Sequence, residues 1–186
     1  MKLLLLLSGP VAVGKSAVAT TLVQDHGFQS IKSSTHLKSL AADRGLTVSR
    51  TALQQLGDIL DEQTDFGWLI EDVAGPAIDG QPHRDFWLLD CVRKKRQVEH
   101  FRDRFGADVL HVHLNASEEV LEKRYADRLA AGGETGNVDY PSAKAHPNEI
   151  AARNLIEIAD LVIDLGDTPA QAAASAILGK SKERGG

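Results

Sequence analysis

The chain has 186 residues, 42% of them hydrophobic, which is enough to bury a core and suits one α/β domain spanning 1–186. A net charge of −5 excludes general binding to nucleic acid, because no basic excess exists to neutralise a phosphate backbone. The single cysteine, Cys91, excludes an intrachain disulfide and suits a reducing compartment. No apolar stretch approaches membrane-spanning length. We therefore expect a cytoplasmic protein without membrane contacts, either a monomer or a homodimer.

The N-terminal stretch combines a strand, a glycine-framed loop and a helix. An apolar run at 3–7 is followed by the loop 9–16, which reads GPVAVGKS, and then by apolar residues at helical spacing. This is the complete P-loop pattern in its required context. Glycines allow loop N–H groups to approach phosphate oxygens, and the helix directs its positive end at the same anion. We expect donor-phosphate contacts from Gly9, Val11, Ala12, Val13, Gly14, Lys15, Ser16 and Ala17.

Two residues of this loop have specific chemical roles. Lys15 is expected to reach the β- and γ-phosphates and to act in catalysis, and the Ser16 hydroxyl is expected to hold Mg²⁺. The pattern therefore predicts a site for a nucleoside triphosphate.

Downstream, strand and helix patterns alternate. A short strand at 28–31 precedes a helical segment at 33–80, which ends among the glycines and prolines that begin at Gly75-Pro76. Further strands are predicted at 86–90, 108–114 and 161–164. Helices are predicted at 94–105, 117–131, 147–159 and 169–178, with a polar loop at 132–145 and a frayed tail at 180–186. The sequence therefore predicts a five-stranded parallel sheet covered by helices on both faces, with ligands at the carboxyl ends of the strands.

Charged residues follow these strand ends. Asp90 closes a buried strand and is expected to serve Mg²⁺ or the acceptor, although it could simply cap the next helix. Arg93 follows three residues later. Arg124 and Arg128 lie four apart on one helix, which suits clamping of a transferring phosphoryl group, although Arg128 could pair with a nearby carboxylate.

Other candidates are less distinctive. Arg50 and Gln54, one helical turn apart, could meet a phosphate and a base edge, or could be ordinary helix residues. Ser34 follows the second strand. Arg153 could be a lid arginine or an ion-pair partner of Glu149, one turn earlier. Trp68 is more often a core residue than a stacking platform.

Over nearly its whole length the chain resembles the nucleoside monophosphate kinase-like group of P-loop kinases. It looks closest to phage-type deoxynucleoside monophosphate kinases, with dephospho-coenzyme A kinases near by. Besides the P-loop, the resemblance is carried by RxxLQxLG at 50–57, DCVR at 90–93, RxxxR at 124–128, and Asn148-Glu149 with Arg153. The chain lacks the Gly-Phe-Pro motif of adenylate kinases and a zinc-binding cysteine pair in the lid.

The resemblance implies a three-layer α/β/α P-loop kinase fold, an acceptor-binding helical segment at 33–80 and a short lid at 129–147. It implies ATP and Mg²⁺ as cofactors and phosphoryl transfer to a nucleotide-like acceptor, preferably a deoxynucleoside monophosphate. Donor contacts are implied for Arg124 and for the turn at Gly166, acceptor contacts for Ser34, Arg50, Gln54, Arg93 and Arg153, and metal contacts for Ser16 and Asp90. The alternatives are a kinase for another small metabolite, such as dephospho-coenzyme A or a sugar acid, and a non-enzymatic nucleotide switch.

Overall fold

A computed structural model describes residues 1–133 and 138–184, except for the side chain of Arg50. The sheet has five parallel strands in the order β2-β3-β1-β4-β5. The strands are β1 (Leu3–Ser8), β2 (Gln29–Ile31), β3 (Phe86–Leu89), β4 (Val109–Asn115) and β5 (Leu161–Asp164). This architecture confirms the predicted parallel sheet with helices on both faces.

The leucine run of β1 explains why this strand is central. Every residue of β1 is buried, and successive side chains point to opposite faces of the sheet. Leu3, Leu5 and Leu7 pack in one core, whereas Leu4 and Leu6 pack in the other. One strand thus supplies both hydrophobic layers.

The helices divide between these two layers. The first core contains residues of α1 (Lys15–His26), α6 (Glu118–Ala130) and α9 (Ala170–Arg184). The second contains residues of α2 (Ser33–Asp43), α3 (Arg50–Gln63), α4 (Gly75–Asp79) and α5 (Lys95–Phe105). Two shorter helices, α7 (Tyr140–Lys144) and α8 (Pro147–Asn154), lie between α6 and β5. In the described part of the chain, no helix is both long and apolar enough to cross a membrane.

The helical segment predicted at 33–80 ends with α4 at Asp79. A π-helical stretch (Leu69–Ala74) leads into α4, and proline is tolerated there because it occupies the first turn of α4. Three predicted boundaries are wrong. The predicted loop 132–145 contains α7, which Asp139 caps by accepting from the Ser142 N–H. The helix after Pro147 ends at Asn154 and a 3₁₀ turn follows. Finally, α9 runs into the predicted tail as far as Arg184.

Candidate functional site: the P-loop and the adjoining cavity

The loop between β1 and α1 has the backbone conformation that its glycines permit. Gly9 (φ 140°) and Gly14 (φ 108°) both have positive φ values, as does Ala12 (φ 64°). A Cβ on Gly9 would lie 2.3 Å from the carbonyl oxygen of Leu114, at the end of β4. The loop therefore passes so close to β4 that only glycine fits at its first position.

Lys15 is directed back into the loop. Its Nζ donates to the carbonyl oxygens of Gly9 at 2.5 Å and Pro10 at 3.0 Å. Burial lowers its pKa from 10.5 to about 8, and the nearby carboxylate of Glu149 opposes that shift. An ammonium held inside a loop of backbone amides is the arrangement expected at a phosphate site.

Three of the residues predicted at strand and helix ends act electrostatically on this ammonium. Arg93 and Arg128 lower the pKa of Lys15, whereas Asp90 raises it. The structure thus brings Asp90, Arg93 and Arg128 into the neighbourhood of Lys15, although they belong to separate parts of the sequence. Asp90 lies just beyond β3, and Arg128 lies on α6 with its guanidinium carbon 5.4 Å from the centroid of the Tyr125 ring.

Arg124 is tied to backbone atoms of the P-loop and of the turn after β5. Its guanidinium donates to the carbonyl oxygens of Val13 at 3.0 Å, Leu165 at 2.9 Å and Gly166 at 3.3 Å. The Gly166 N–H in turn donates to the Asp164 carboxylate at 2.7 Å. Arg124 therefore joins the P-loop to the turn where the resemblance places the donor base, and its catalytic role stays a prediction.

The residues available to a magnesium ion are Ser16 and Asp90. The Ser16 side chain is exposed at the first turn of α1, and Asp90 is half-buried and close enough to Lys15 to shift its pKa. A hydroxyl and a carboxylate are oxygen ligands of the kind that Mg²⁺ prefers, the remainder coming from phosphates and water. The donor set therefore fits the predicted ion.

A cavity of about 680 Å³ lies between α2, α3 and the segment after β3. Three predicted acceptor residues line it, namely Ser34, Gln54 and Arg93. It also contacts Trp68, which is 5% exposed and donates from Nε1 to the Asp61 carboxylate at 2.8 Å. Volumes of about 300–1,000 Å³ are usual for small-molecule sites.

The cavity and the P-loop meet at α8. Asn148 lines the cavity and donates from Nδ2 to the Asp58 carboxylate of α3 at 2.7 Å. The next residue, Glu149, accepts a hydrogen bond of 2.8 Å from the backbone N–H of Val11 in the P-loop. Successive residues of α8 thus contact the two halves of the site.

Arg153 lies on the Glu149 side of this arrangement, outside the cavity lining. Its guanidinium donates to Glu149 at 3.1 Å, to Glu118 at 2.5 Å and to the Tyr140 hydroxyl at 3.0 Å. The ion pair with Glu149 is the alternative that the sequence left open. Arg153 nevertheless lowers the pKa of His113, as Lys15 does, so that both cations lie near the end of β4.

Sequence reasoning missed three acidic or amide groups of the cavity: Asp58, Asp61 and Gln97. Asp61 is buried and accepts from both Trp68 and Gln97 Nε2 (3.0 Å), and its pKa is raised mainly by burial. The signal was present, because Gln54, Asp58 and Asp61 follow one another at helical spacing and form a polar stripe on α3.

A second missed group lies beneath the P-loop, at the junction of β1 and β4. The Ser8 hydroxyl lies 2.7 Å from His111 Nε2 and 2.9 Å from His113 Nδ1. Both imidazoles are buried, and burial lowers the pKa of each from 6.5 to about 4. They are therefore neutral near pH 7, and each is hydrogen-bonded to Ser8 inside the fold.

Two predicted features lie partly or wholly outside the described residues. The Arg50 side chain is one of them. The lid at 129–147 is the other, since residues 134–137 are not described. The described part of that segment is anchored by hydrogen bonds from Tyr125 to the Val138 carbonyl at 2.8 Å and from Lys144 to Glu118 at 2.7 Å.

Comparisons with solved structures agree with this fold. The chain is similar to a gluconokinase from Sinorhizobium meliloti 1021, at 14% identity and a TM-score of 0.50 over 98% of this chain and 93% of that chain. It is similar to a sugar kinase from Janibacter sp. HTCC2649, at 14% identity and a TM-score of 0.55 over 97% and 94%. It is also similar to the YorR protein of Bacillus subtilis in complex with phosphorylated GDP, at 18% identity and a TM-score of 0.51 over 96% and 95%.

The structural similarity shows the P-loop kinase fold. Because the sequence identities are low, it shows no finer property. No match was found among curated protein sequences. A family model described as an AAA domain matches residues 5–139, which include the P-loop, the cavity helices and α6. The chain therefore belongs to the AAA domain family.

Proposed function

We propose that this protein transfers a phosphoryl group from ATP, with Mg²⁺, to a nucleoside monophosphate, and that it prefers a deoxynucleotide. The observation that carries the proposal is the cavity of about 680 Å³ whose lining residue Arg93 is close enough to Lys15 of the P-loop to lower the pKa of that ammonium. An acceptor phosphate held by Arg93 would therefore lie near Lys15, the residue that we expect to contact the donor phosphates.

On the donor side, the chain supplies preorganised charge. Lys15, the loop N–H groups and the start of α1 hold the phosphates, and Arg124 braces the loop against the turn at Gly166. Ser16 and Asp90 would hold Mg²⁺, which would neutralise part of the negative charge of the phosphates. Arg128 lies near Lys15 and just before the lid segment, and in this proposal it stabilises the transferring group once the lid closes.

On the acceptor side, the cavity offers different chemistry at different points. Arg93 and Lys94 provide cationic groups for a phosphate, and Gln54 offers an amide that can read a base edge. Leu53 and Trp68 provide apolar surface against which a base can pack. The bound nucleotide in the YorR structure supports a nucleotide acceptor, whereas the deoxy preference rests on the resemblance of the motifs.

A phosphate acceptor suits a site built in this way. A nucleoside monophosphate is already ionised at neutral pH, so its oxygen needs no base before it attacks the donor. Positioning and charge neutralisation are then sufficient for rate enhancement, as in other phosphoryl transfers. Closure of the lid would keep water from competing as the acceptor.

A second candidate acceptor is a sugar acid or another hydroxylated metabolite. The observation in its favour is the pair of carboxylates, Asp58 and Asp61, that line the same cavity. Carboxylates bind hydroxyl groups, and one of them could accept the proton of an attacking hydroxyl. The gluconokinase and the sugar kinase that share the fold belong to this chemical class by their names.

The test is the initial rate with each ribo- and deoxynucleoside monophosphate, gluconate and dephospho-coenzyme A at fixed ATP and Mg²⁺. ADP and free phosphate are both counted, so that transfer is separated from hydrolysis. The proposal requires a nucleoside monophosphate to be the best acceptor. It also requires Arg93→Ala to raise the acceptor KM, with exposed Arg84→Ala as the matched control. Turnover of gluconate or dephospho-coenzyme A alone would select another kinase, and hydrolysis alone would indicate a switch.

A further inference from the structure

The P-loop carries an anion supplied by its own chain. The Glu149 carboxylate accepts from the Val11 N–H at 2.8 Å, and backbone N–H groups of this loop are the donors that a P-loop presents to phosphate oxygens. The Glu149 carboxylate also raises the pKa of Lys15, and does so more strongly than Asp90. The carboxylate therefore stands where an oxygen of the bound donor would stand, facing the same amide and the same ammonium.

Glu149 is held firmly in this position. Its side chain is only 14% exposed, and the oxygen that accepts from Val11 also accepts from Arg153 Nε at 3.1 Å. Arg153 is fixed in turn by Glu118 and by the Tyr140 hydroxyl. A charged, partly desolvated hydrogen bond of this kind competes more strongly with a ligand than a neutral one does.

The same helical turn is attached to the acceptor side. His146, which caps α8, lies with Nε2 2.8 Å from the Gln54 amide nitrogen, and Asn148 donates to Asp58. Glu149 thus reaches the P-loop from a turn whose other side chains contact α3 along the cavity. For Glu149 to leave the Val11 N–H, either its side chain must rotate or the first turn of α8 must move relative to the P-loop and α3.

We propose that Glu149 sets the donor affinity by occupying the phosphate position at Val11, so that a triphosphate must displace it in order to bind. This inference rests on the proposed function only in that the P-loop binds a triphosphate. Once displaced, Glu149 leaves the Val11 N–H to the phosphate and leaves Arg153 with one fewer carboxylate partner near the donor. The free chain is held in a state of low donor affinity.

The variants Glu149→Gln and Glu149→Ala separate charge from contact. Glutamine keeps the shape and an accepting oxygen but removes the charge, and alanine removes both. ATP binding is measured by isothermal titration without an acceptor, both in EDTA and with Mg²⁺. Sodium tripolyphosphate serves as a base-free probe. Exposed Glu157→Gln, which removes one negative charge from the segment after α8, is the matched control.

Glu149→Ala is expected to lower the Kd for ATP on the order of tenfold, because the ligand no longer replaces a charge-assisted hydrogen bond. Glu149→Gln is expected to lower the Kd by less, because its amide oxygen can still accept from the Val11 N–H. Tripolyphosphate should gain by the same factor, since the competition is at a phosphate, and Glu157→Gln should match the parent chain. The thermal midpoint of each variant shows whether it is folded.

An unchanged or weaker ATP affinity in folded variants would overturn the proposal. Weakening only in the presence of Mg²⁺ would assign Glu149 to the metal instead. Failure of the proposed function looks different, because it would appear as ATP binding without turnover of any nucleoside monophosphate.

Discussion

Arg124 and Val13 are joined by a hydrogen bond of 3.0 Å from the guanidinium of α6 to a carbonyl of the P-loop. The same guanidinium also reaches the carbonyl oxygens of Leu165 and Gly166 after β5. The loop and the turn come from opposite ends of the sequence, and Arg124 holds them together. Three backbone acceptors thus fix the position of one guanidinium between the P-loop and the turn after β5.

Arg124→Ala is therefore expected to weaken ATP binding as well as turnover. Loss of the guanidinium leaves three carbonyl oxygens without this donor and removes the link between the loop and the turn. We expect the free energy of unfolding to fall by about 1–3 kcal/mol. The measurements are the Kd for ATP by titration and the free energy of unfolding by urea denaturation. A variant with normal ATP affinity and a reduced kcat alone would contradict this expectation and support a purely catalytic role.

Arg128→Ala is the contrasting change four residues further along α6. The Arg128 side chain is exposed and contacts the Tyr125 ring, and it lies just before the lid segment. We expect a large fall in kcat with little change in the Kd for ATP, since Arg128 would act mainly in the closed state. Equal falls in kcat and ATP affinity would show that Arg128 binds the ground state.

Lys15→Ala is expected to leave a folded protein without transfer activity. The ammonium is buried in the loop and contacts two backbone carbonyls, and one preorganised charge typically contributes on the order of 10²–10³ in rate. Circular dichroism verifies folding and a coupled ADP assay measures the rate. Full activity in the folded variant would exclude the kinase proposal.

Acid should destabilise the protein through His111 and His113. Their folded pKa values, about 4, lie below the ordinary 6.5, so the unfolded chain binds the additional protons. Their contribution to stability is present above about pH 6.5 and is lost as the pH falls towards 4. His113→Asn should reduce the slope of the unfolding free energy against pH in this window by about one proton. An unchanged slope would contradict this; exposed His83→Asn is the control.

Gly9→Ala should be far more damaging than Gly27→Ala. Both glycines have positive φ values, but a Cβ on Gly9 would lie 2.3 Å from the Leu114 carbonyl oxygen, whereas Gly27 has nothing within 4 Å. Gly27→Ala should lower the free energy of unfolding by about 1–2 kcal/mol, because alanine is strained in the left-handed backbone conformation of Gly27. Gly9→Ala must also move β4 or the loop, so its loss of stability and of ATP affinity should be larger. Thermal denaturation compares them, and equal melting temperatures would contradict the packing argument.

Local pattern was sufficient for the strands and for the donor loop. A run of five leucines favours a strand that is buried on both faces, and this is β1. Glycine readily adopts positive φ values, so Gly9 and Gly14 favour the tight loop between β1 and α1. Asp90 and Arg93 could also be placed near the loop, since parallel strands end at one edge of the sheet.

Helix ends were less well determined. The helix predicted at 147–159 ends at Asn154, and a 3₁₀ turn (Leu155–Ile158) follows it. The polar residues after Lys180 were expected to fray, although they are adequate helix formers and Lys180 pairs with Glu183 at 3.1 Å. In both places local residue preferences do not decide where the helix ends.

The position of α8 across the site was decided only by the tertiary structure. In the sequence Glu149 is an acidic residue one turn before Arg153, and that pair is all that helical spacing can reveal. Its contact with Val11 joins residues 138 positions apart, and the contact of Asn148 with Asp58 spans 90. Such contacts depend on how the segment after α6 packs back over the sheet, and no local periodicity encodes that packing.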